Sequence, residues 1–176
     1  KNEKNSNLFL TTVSNCKEYS IYNQTLFNFS EGLVINHHYT NLIQSDSSVF
    51  YNGVFFLKAN NFNENKTYVR HKSEGCKSDQ NYKGVLNDKS KGVYNSYTFV
   101  EKEAQKTEGY QLSKGILLSE DATFFSKPEL RIFADDVKCS HGSTIGPVDQ
   151  SALYYLRSRG INKNQAMQMI ISAFID

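Results

Sequence analysis

Val137, Cys139 and His141 occupy every second position of Val137-Lys138-Cys139-Ser140-His141. In an extended chain alternate side chains share one face, so the thiol and imidazole would stand together, about 6.6–6.8 Å apart along the strand. A thiolate and an imidazole at that spacing suit one soft or borderline metal. They are only two ligands, whereas a closed tetrahedral site needs four. The others would have to come from a distant segment, another subunit or solvent. A plain core role fits the same residues, since cysteine packs as a small hydrophobe and a single histidine is often held by one hydrogen bond. Upstream, Leu130, Ile132 and Ala134 form one face, and Asp136 continues their parity, so a bend is expected at Asp135-Asp136. Paired carboxylates could act as acid and base in a glycoside-cleaving site. Adjacent aspartates are also ordinary solvated turn residues.

Other candidates are weaker. His37 and His38 are adjacent, so in a strand their rings point to opposite faces. His71 and Cys76 flank Ser73-Glu74-Gly75, an expected turn, and read as loop decoration more readily than as ligands. The cysteines Cys16, Cys76 and Cys139 are odd in number, widely spaced and never in CxxC, which argues against a disulfide framework or a zinc finger and for a reducing compartment. There is no glycine-rich phosphate loop followed by Lys-Ser/Thr, no HExxH and no nucleophile elbow, so ATP hydrolysis by this chain is not expected.

The elements that must position these residues are mostly strands. Dense aromatic and β-branched residues, punctuated by Gly, Asn, Asp and Ser, predict strands over 8–13, 20–29, 33–39, 48–58, 67–72, 82–86, 93–100, 115–119 and 130–134. Ser90-Lys91-Gly92-Val93 recurs 23 residues on as Ser113-Lys114-Gly115-Ile116, and the same step links Gly84, Thr107 and Leu130. A period of that order is one solenoid coil, which favours a parallel β-helix over a sandwich. The asparagine-rich run Asn60-Asn61-Phe62-Asn63-Glu64-Asn65 reads as a solvated loop. The chain ends differently. Asp149 is placed to cap a helix over 150–159 with Gly160 at its C′ position, and Asn162 with Gln165 resembles a capping box opening a second. Ala166, Met169, Ile170, Ala173 and Phe174 then form one apolar stripe. These helices are expected to cover the last coil and to offer a docking face. The organisation is thus a β-helix core over 1–146 and the start of a helical region over 147–176.

Charge is nearly balanced, 20 Lys+Arg against 18 Asp+Glu, which gives no electrostatic reason for nucleic acid or a membrane surface as partner. No apolar run is long enough to span a bilayer. Residues 1–5 do not resemble a signal peptide, and the chain reads as a piece of a longer protein.

The stretch Lys127-Pro128-Glu129-Leu130-Arg131-Ile132-Phe133-Ala134-Asp135-Asp136-Val137-Lys138-Cys139-Ser140-His141-Gly142-Ser143-Thr144-Ile145-Gly146 and the following Ala152-Leu153-Tyr154-Tyr155-Leu156-Arg157-Ser158-Arg159-Gly160-Ile161 resemble the SufB/SufD family of SUF iron–sulfur assembly scaffolds, on its SufD side. Tyr82-Lys83-Gly84-Val85, Ala104-Gln105-Lys106-Thr107 and Tyr110-Gln111-Leu112 fit the same pattern, while residues 1–70 match loosely. The SufB counterpart of the Cys-Ser-His stretch, a Glu-His-Glu-Ala-Thr-type segment, is absent. The resemblance implies a right-handed parallel β-helix flanked by helices, and a non-enzymatic role beside SufB and the ATPase SufC. It implies an Fe–S cluster built transiently at the SufB–SufD interface, His141 taking part and Cys139 a second contributor, with ATP entering only through SufC. SufC would bind the helical end, for which Leu153, Tyr154, Leu156, Met169, Ile170 and Phe174 are the candidates. In isolation the chain could pair with itself. The family occurs in bacterial cytoplasm and in plastids, and the asparagine bias points to a plastid. Two readings stay beside this one: a β-helix carbohydrate enzyme using Asp135 and Asp136, and a purely structural interaction solenoid.

Overall fold

The computed structural model describes residues 7–29 and 31–176; residues 1–5, read above as unlike a signal peptide, lie outside them. Ten strands precede two helices. They are β1 (Asn7–Cys16), β2 (Ile21–Asn28), β3 (Leu33–Leu42), β4 (Ser48–Leu57), β5 (Phe62–His71), β6 (Lys77–Leu86), β7 (Lys91–Val100), β8 (Thr107–Leu117), β9 (Thr123–Ile132) and β10 (Val137–Pro147), then α1 (Gln150–Ser158) and α2 (Lys163–Ile175). Odd strands stack in one sheet, β1-β3-β5-β7-β9, and even strands in another, β10-β8-β6-β4-β2. Each described pair is parallel. The chain is therefore a parallel β-solenoid of about five turns, two strands per turn, with helices at its C-terminal end, as the sequence led us to expect.

The period differs from the expected one. Leu33 pairs with Phe62 and Phe62 with Lys91, a coil of 29 residues. The two halves of the 23-residue echo lie in different sheets: Lys91 pairs with Thr123, Lys114 with Thr144. Gly84 pairs with Gly115, not Thr107. The shared Ser-Lys-Gly marks a similar local need for a small inward residue, not equivalent places in the coil.

Strict alternation places one side of every strand inside. β3, for instance, buries Val34, Asn36, His38, Thr40 and Leu42 and leaves the residues between them half-exposed. The interior is partly polar. Asn63 and Asn65, in the run expected to be a solvated loop, belong to β5 and are fully buried. Asn36 Nδ2 donates to Asn65 Oδ1 (3.1 Å), Asn65 Nδ2 to Asn63 Oδ1 (2.6 Å) and Asn63 Nδ2 to the Val34 carbonyl (3.4 Å). Buried amides are tolerated when each finds a partner, and identical amides stacked coil on coil supply one another.

The apolar part of the core is built by alternating large and absent side chains down a column. Gly53 pairs with Tyr82, whose ring stacks on Tyr94 at 4.1 Å. A methyl added at Gly53 would collide with the Tyr82 ring. Gly84 likewise leaves room for Phe55, which would lie 2.5 Å from an added Cβ. Gly53→Ala is accordingly expected to destabilise the fold by about 1–3 kcal/mol, the usual cost of overpacking. Urea unfolding checks this, and an unchanged midpoint would show that the Tyr82–Tyr94 stack can slide.

The helix caps sit where expected, although Gln165 Oε1 accepts from the Asn162 side-chain Nδ2 (2.8 Å) where a full capping box would use the Asn162 backbone amide. Asp149 Oδ1 accepts from the Ser151 and Ala152 amides (2.8 and 3.2 Å), and Asn162 Oδ1 from the Gln165 amide (3.0 Å). Gly160 takes the left-handed conformation after α1, with φ of 86°. The buried side of α2 is rotated from the expected stripe, however. Ala166 is fully buried and Met167, Ile170, Ile171 and Phe174 are half-buried, whereas Met169 is 50% exposed and Ala173 is exposed. The reason is where the helix sits. A cavity lined by Leu117, Pro147, Val148, Leu153 and Met167 puts its start beside the ends of β8 and β10. Its far end reaches the outer face of the second sheet, where Lys83 Nζ donates to the Ile175 carbonyl (2.9 Å). Val85, an outward residue of β6, is fully buried. The helices therefore cover the flank of the second sheet, not the end of the stack.

Candidate functional site

The chain turns from β9 to β10 through a bend at Asp135 and Asp136, as expected from the parity change. The corner is tied by its backbone: the Asp136 amide donates to Gln105 Oε1 (2.9 Å) and its carbonyl accepts from the Lys106 amide (2.6 Å). Both aspartates are exposed turn residues.

Beyond the bend, β10 pairs only with β8 among the described residues, and β9 only with β7. Register fixes which side chains point in. Cys139 lies against Gly109, His141 against Gln111, Ser143 against Ser113 and Ile145 against Gly115. The β8 members of those pairs are all buried, so Cys139 and His141 face the interior of the solenoid from its last coil. No described coil covers them, and this explains their exposure: Cys139 is half-buried and His141 exposed. The two residues do share a face, as predicted, at the mouth of the stack.

Cys139 is the recessed member. It packs with Val137 against a small cluster of Val100, Ala104 and Ala134. Burial pushes its thiol pKa up, and a hydrogen bond with the Gly109 main chain opposes that rise. Below His141, Gln111 Nε2 donates to Thr98 Oγ1 (2.8 Å) and to the Glu129 carbonyl (3.2 Å), which pins the floor of the mouth. Gly109 and Thr98 were not singled out from the sequence, and Gln111 only within the family-like Tyr110-Gln111-Leu112. Polar or absent side chains on the inward parity of β8 were the available signal.

The remaining candidates are elsewhere. His38 is buried, stacked on Tyr51 (5.6 Å) with Gln24 Nε2 3.0 Å from its Nδ1, whereas His37 points outward to Glu64 (2.8 Å). The pair does diverge as expected. His71 and Cys76 are not loop decoration: both are fully buried, His71 Nε2 lying 2.9 Å from Ser78 Oγ and Cys76 Sγ 3.4 Å from the Gln44 carbonyl. The turn between them is real and carries Gly75 at φ of 69°, but its flanking residues already belong to the core. Among the described residues no group of three or more His, Cys, Asp or Glu could hold a metal ion. No described helix is long and apolar enough to cross a membrane. Of the helical candidates, Leu153 is buried, Leu156, Ile170 and Phe174 are half-buried, and Tyr154 and Met169 are open to solvent.

A thiol and an imidazole can each ligate iron, but an Fe–S cluster normally takes four protein ligands, mostly thiolates. The donor types fit; the number does not. Fold and geometry together define a parallel β-solenoid that brings one thiol and one imidazole to the inner face of β10, fewer donors than a self-contained metal centre needs. Comparison with known proteins is specific. The family model for the SUF system FeS cluster assembly, SufBD core domain, matches residues 1–174. The chain is 38% identical over 144 residues to the iron–sulfur cluster assembly protein SufD of Escherichia coli, covering 81% of this chain and 34% of that protein. It is 39% identical over 97 residues to the SufBD family protein slr0076 of Synechocystis (55% and 21%), and 39% over 90 residues to the chloroplastic protein ABCI7 of Arabidopsis thaliana (51% and 19%). The chain spans about a third or less of the length of these relatives. It belongs to the SufBD core family of iron–sulfur cluster assembly proteins. The membership lends no support to a carbohydrate enzyme built on Asp135 and Asp136.

Proposed function

We propose that this chain is the core of a non-enzymatic scaffold subunit that pairs with SufB and the ATPase SufC, so that a nascent cluster is built where its open end meets SufB. The observation that carries this reading is the placement of Cys139 and His141 on the inner face of β10, which pairs with β8 on one edge and with no described strand on the other. Unpaired strand edges are ready templates for another chain. Two donors at such an edge suit a cluster whose other ligands arrive from the opposite side. The cluster is cargo, held transiently. ATP enters through SufC, since this chain carries no phosphate-binding loop. Tyr154 and Met169, exposed on the two helices, are the parts of the helical candidate set best placed to reach SufC. The edge of β10 that no described strand covers would let isolated chains pair with one another. A plastid stroma is the favoured compartment, supported by the chloroplastic relative, with bacterial cytoplasm as the alternative.

Anaerobic co-purification of the full-length protein with SufB and SufC, followed by iron and sulfide analysis, tests the proposal. The expected result is a complex holding both elements. A stable complex that never holds iron or sulfide would replace the proposal with a purely structural solenoid.

A further inference from the structure

We propose that Gly109 is the positioning residue for the Cys139 thiol: having no side chain, it lets the sulfur sink between the last two coils instead of standing at the open edge. Ser78, Gly109 and Cys139 form one inward column through three successive coils. A Cβ built on Gly109 would lie 3.2 Å from Cys139 Sγ, 3.5 Å from Ser78 Oγ and 3.6 Å from Thr98 Cγ2. The sulfur therefore occupies room that any other residue would fill. An added methyl is tight only against the sulfur; Ser78 and Thr98 stand at ordinary contact distance and, being held, bar the methyl from shifting away from it. Ser78 is tied to His71 (2.9 Å), and Thr98 accepts from both Gln80 and Gln111 (2.8 Å each). Cys139 is only half-buried, and its strand has no described partner on the far side, so it yields. Carbon–sulfur contact below the usual 3.5–4.0 Å optimum moves the sulfur outward by a few tenths of an ångström or flips its rotamer. Why the recess matters rests on the proposed scaffold role: a sunken thiol is reached only by a group inserted into the mouth of the coil, whereas His141 stays available at the rim.

The test uses the isolated chain without iron or partners, so its outcome is independent of whether clusters assemble. Iodoacetamide labelling at one fixed pH is followed peptide by peptide, with buried Cys16 and Cys76 as internal references. In Gly109→Ala, Cys139 labelling is expected to rise about ten-fold, as thiol reactivity follows exposure, while Cys16 and Cys76 keep their rates. The S–H stretching band in the Raman spectrum should shift as the contact with the Gly109 main chain is lost. Gly115→Ala, on the same strand but crowding Phe124, controls for general loosening and should leave Cys139 unchanged. Adding Thr98→Ser to Gly109→Ala removes the Cγ2 neighbour and should restore much of the parent rate. Parent-rate labelling in Gly109→Ala, or equal acceleration in Gly115→Ala, would overturn the assignment. If Gly109→Ala does not fold, Thr98→Ser alone decides: slower Cys139 labelling supports the recess, and an unchanged rate refutes it.

Discussion

Replacing His141 with alanine is expected to abolish cluster assembly on the complex with SufB and SufC while leaving the chain folded and the complex formed. The two halves of that expectation have separate physical grounds. His141 is exposed and makes no hydrogen bond of its own among the described residues. Its truncation is a surface change, for which effects on stability stay within about 0.5 kcal/mol. Its imidazole nevertheless points into the mouth of the last coil, one inward position beyond Cys139. If it contributes a donor to a cluster that takes only two from this chain, its loss removes half of this chain's share. Losing an outer partner of a metal ligand costs roughly 10–100-fold, so losing the ligand itself should exceed that range. Iron and sulfide content of the reconstituted complex, with unfolding midpoints measured in parallel, separates the two effects. Full assembly in His141→Ala would remove the residue from the site. Cys139→Ala should lower both quantities, because Cys139 also packs against Val100 and Ala134.

Much of this arrangement was legible in the sequence because it depends on local rules. Alternation put Cys139 and His141 on one face and His37 and His38 on opposite ones. The parity change announced the bend at Asp135 and Asp136. Asp149, Gly160 and Asn162 marked the helix ends, since caps satisfy backbone groups within a few residues. What failed depended on the neighbouring coil. Asn63 and Asn65 look solvated because amides alone in a core are costly; stacked on Asn36 they satisfy one another. The first part of β8, Thr107-Glu108-Gly109-Tyr110-Gln111, has no apolar alternation, because its inward positions are filled by small and polar side chains packed on Ser78, Thr98 and Gln80. His71 and Cys76 flank a turn, yet in a tight two-strand coil the residues next to a turn are already inside. The exposure of His141 beside a half-buried Cys139 was also invisible from the residues themselves. Whether an inward cysteine is core or ligand depends on whether another coil follows, and the helices that were expected to cover the last coil lie on the flank of the second sheet instead.

The polar interior should make the fold sensitive to acid well above the carboxylate range. His38 and His71 are both fully buried, and desolvation lowers the pKa of each to about 4; the neighbouring His37 adds a smaller repulsion at His38. In the unfolded chain each would titrate near 6.5. Above that value both states are neutral and the histidines contribute nothing adverse. As pH falls from 6.5 towards 4, the unfolded chain takes up protons that the folded chain refuses, so stability drops across that window and levels off below it. At 1.36 kcal/mol per unit, the loss is at most about 3–4 kcal/mol for each histidine, large beside the 5–15 kcal/mol of a typical domain. Asp79 acts in the opposite sense: burial raises its pKa, so the folded chain binds that proton more readily and regains some stability as pH falls. The net expectation is a falling urea midpoint between pH 7 and pH 4.5. His71→Gln, which keeps a polar group beside Ser78, should cost some stability at neutral pH but remove about half of the slope. A midpoint flat across that range in the parent, or a slope untouched by His71→Gln, would mean that the buried imidazoles are relieved in the folded chain by internal rearrangement, and that the solenoid interior is more adaptable than its amide and tyrosine columns indicate.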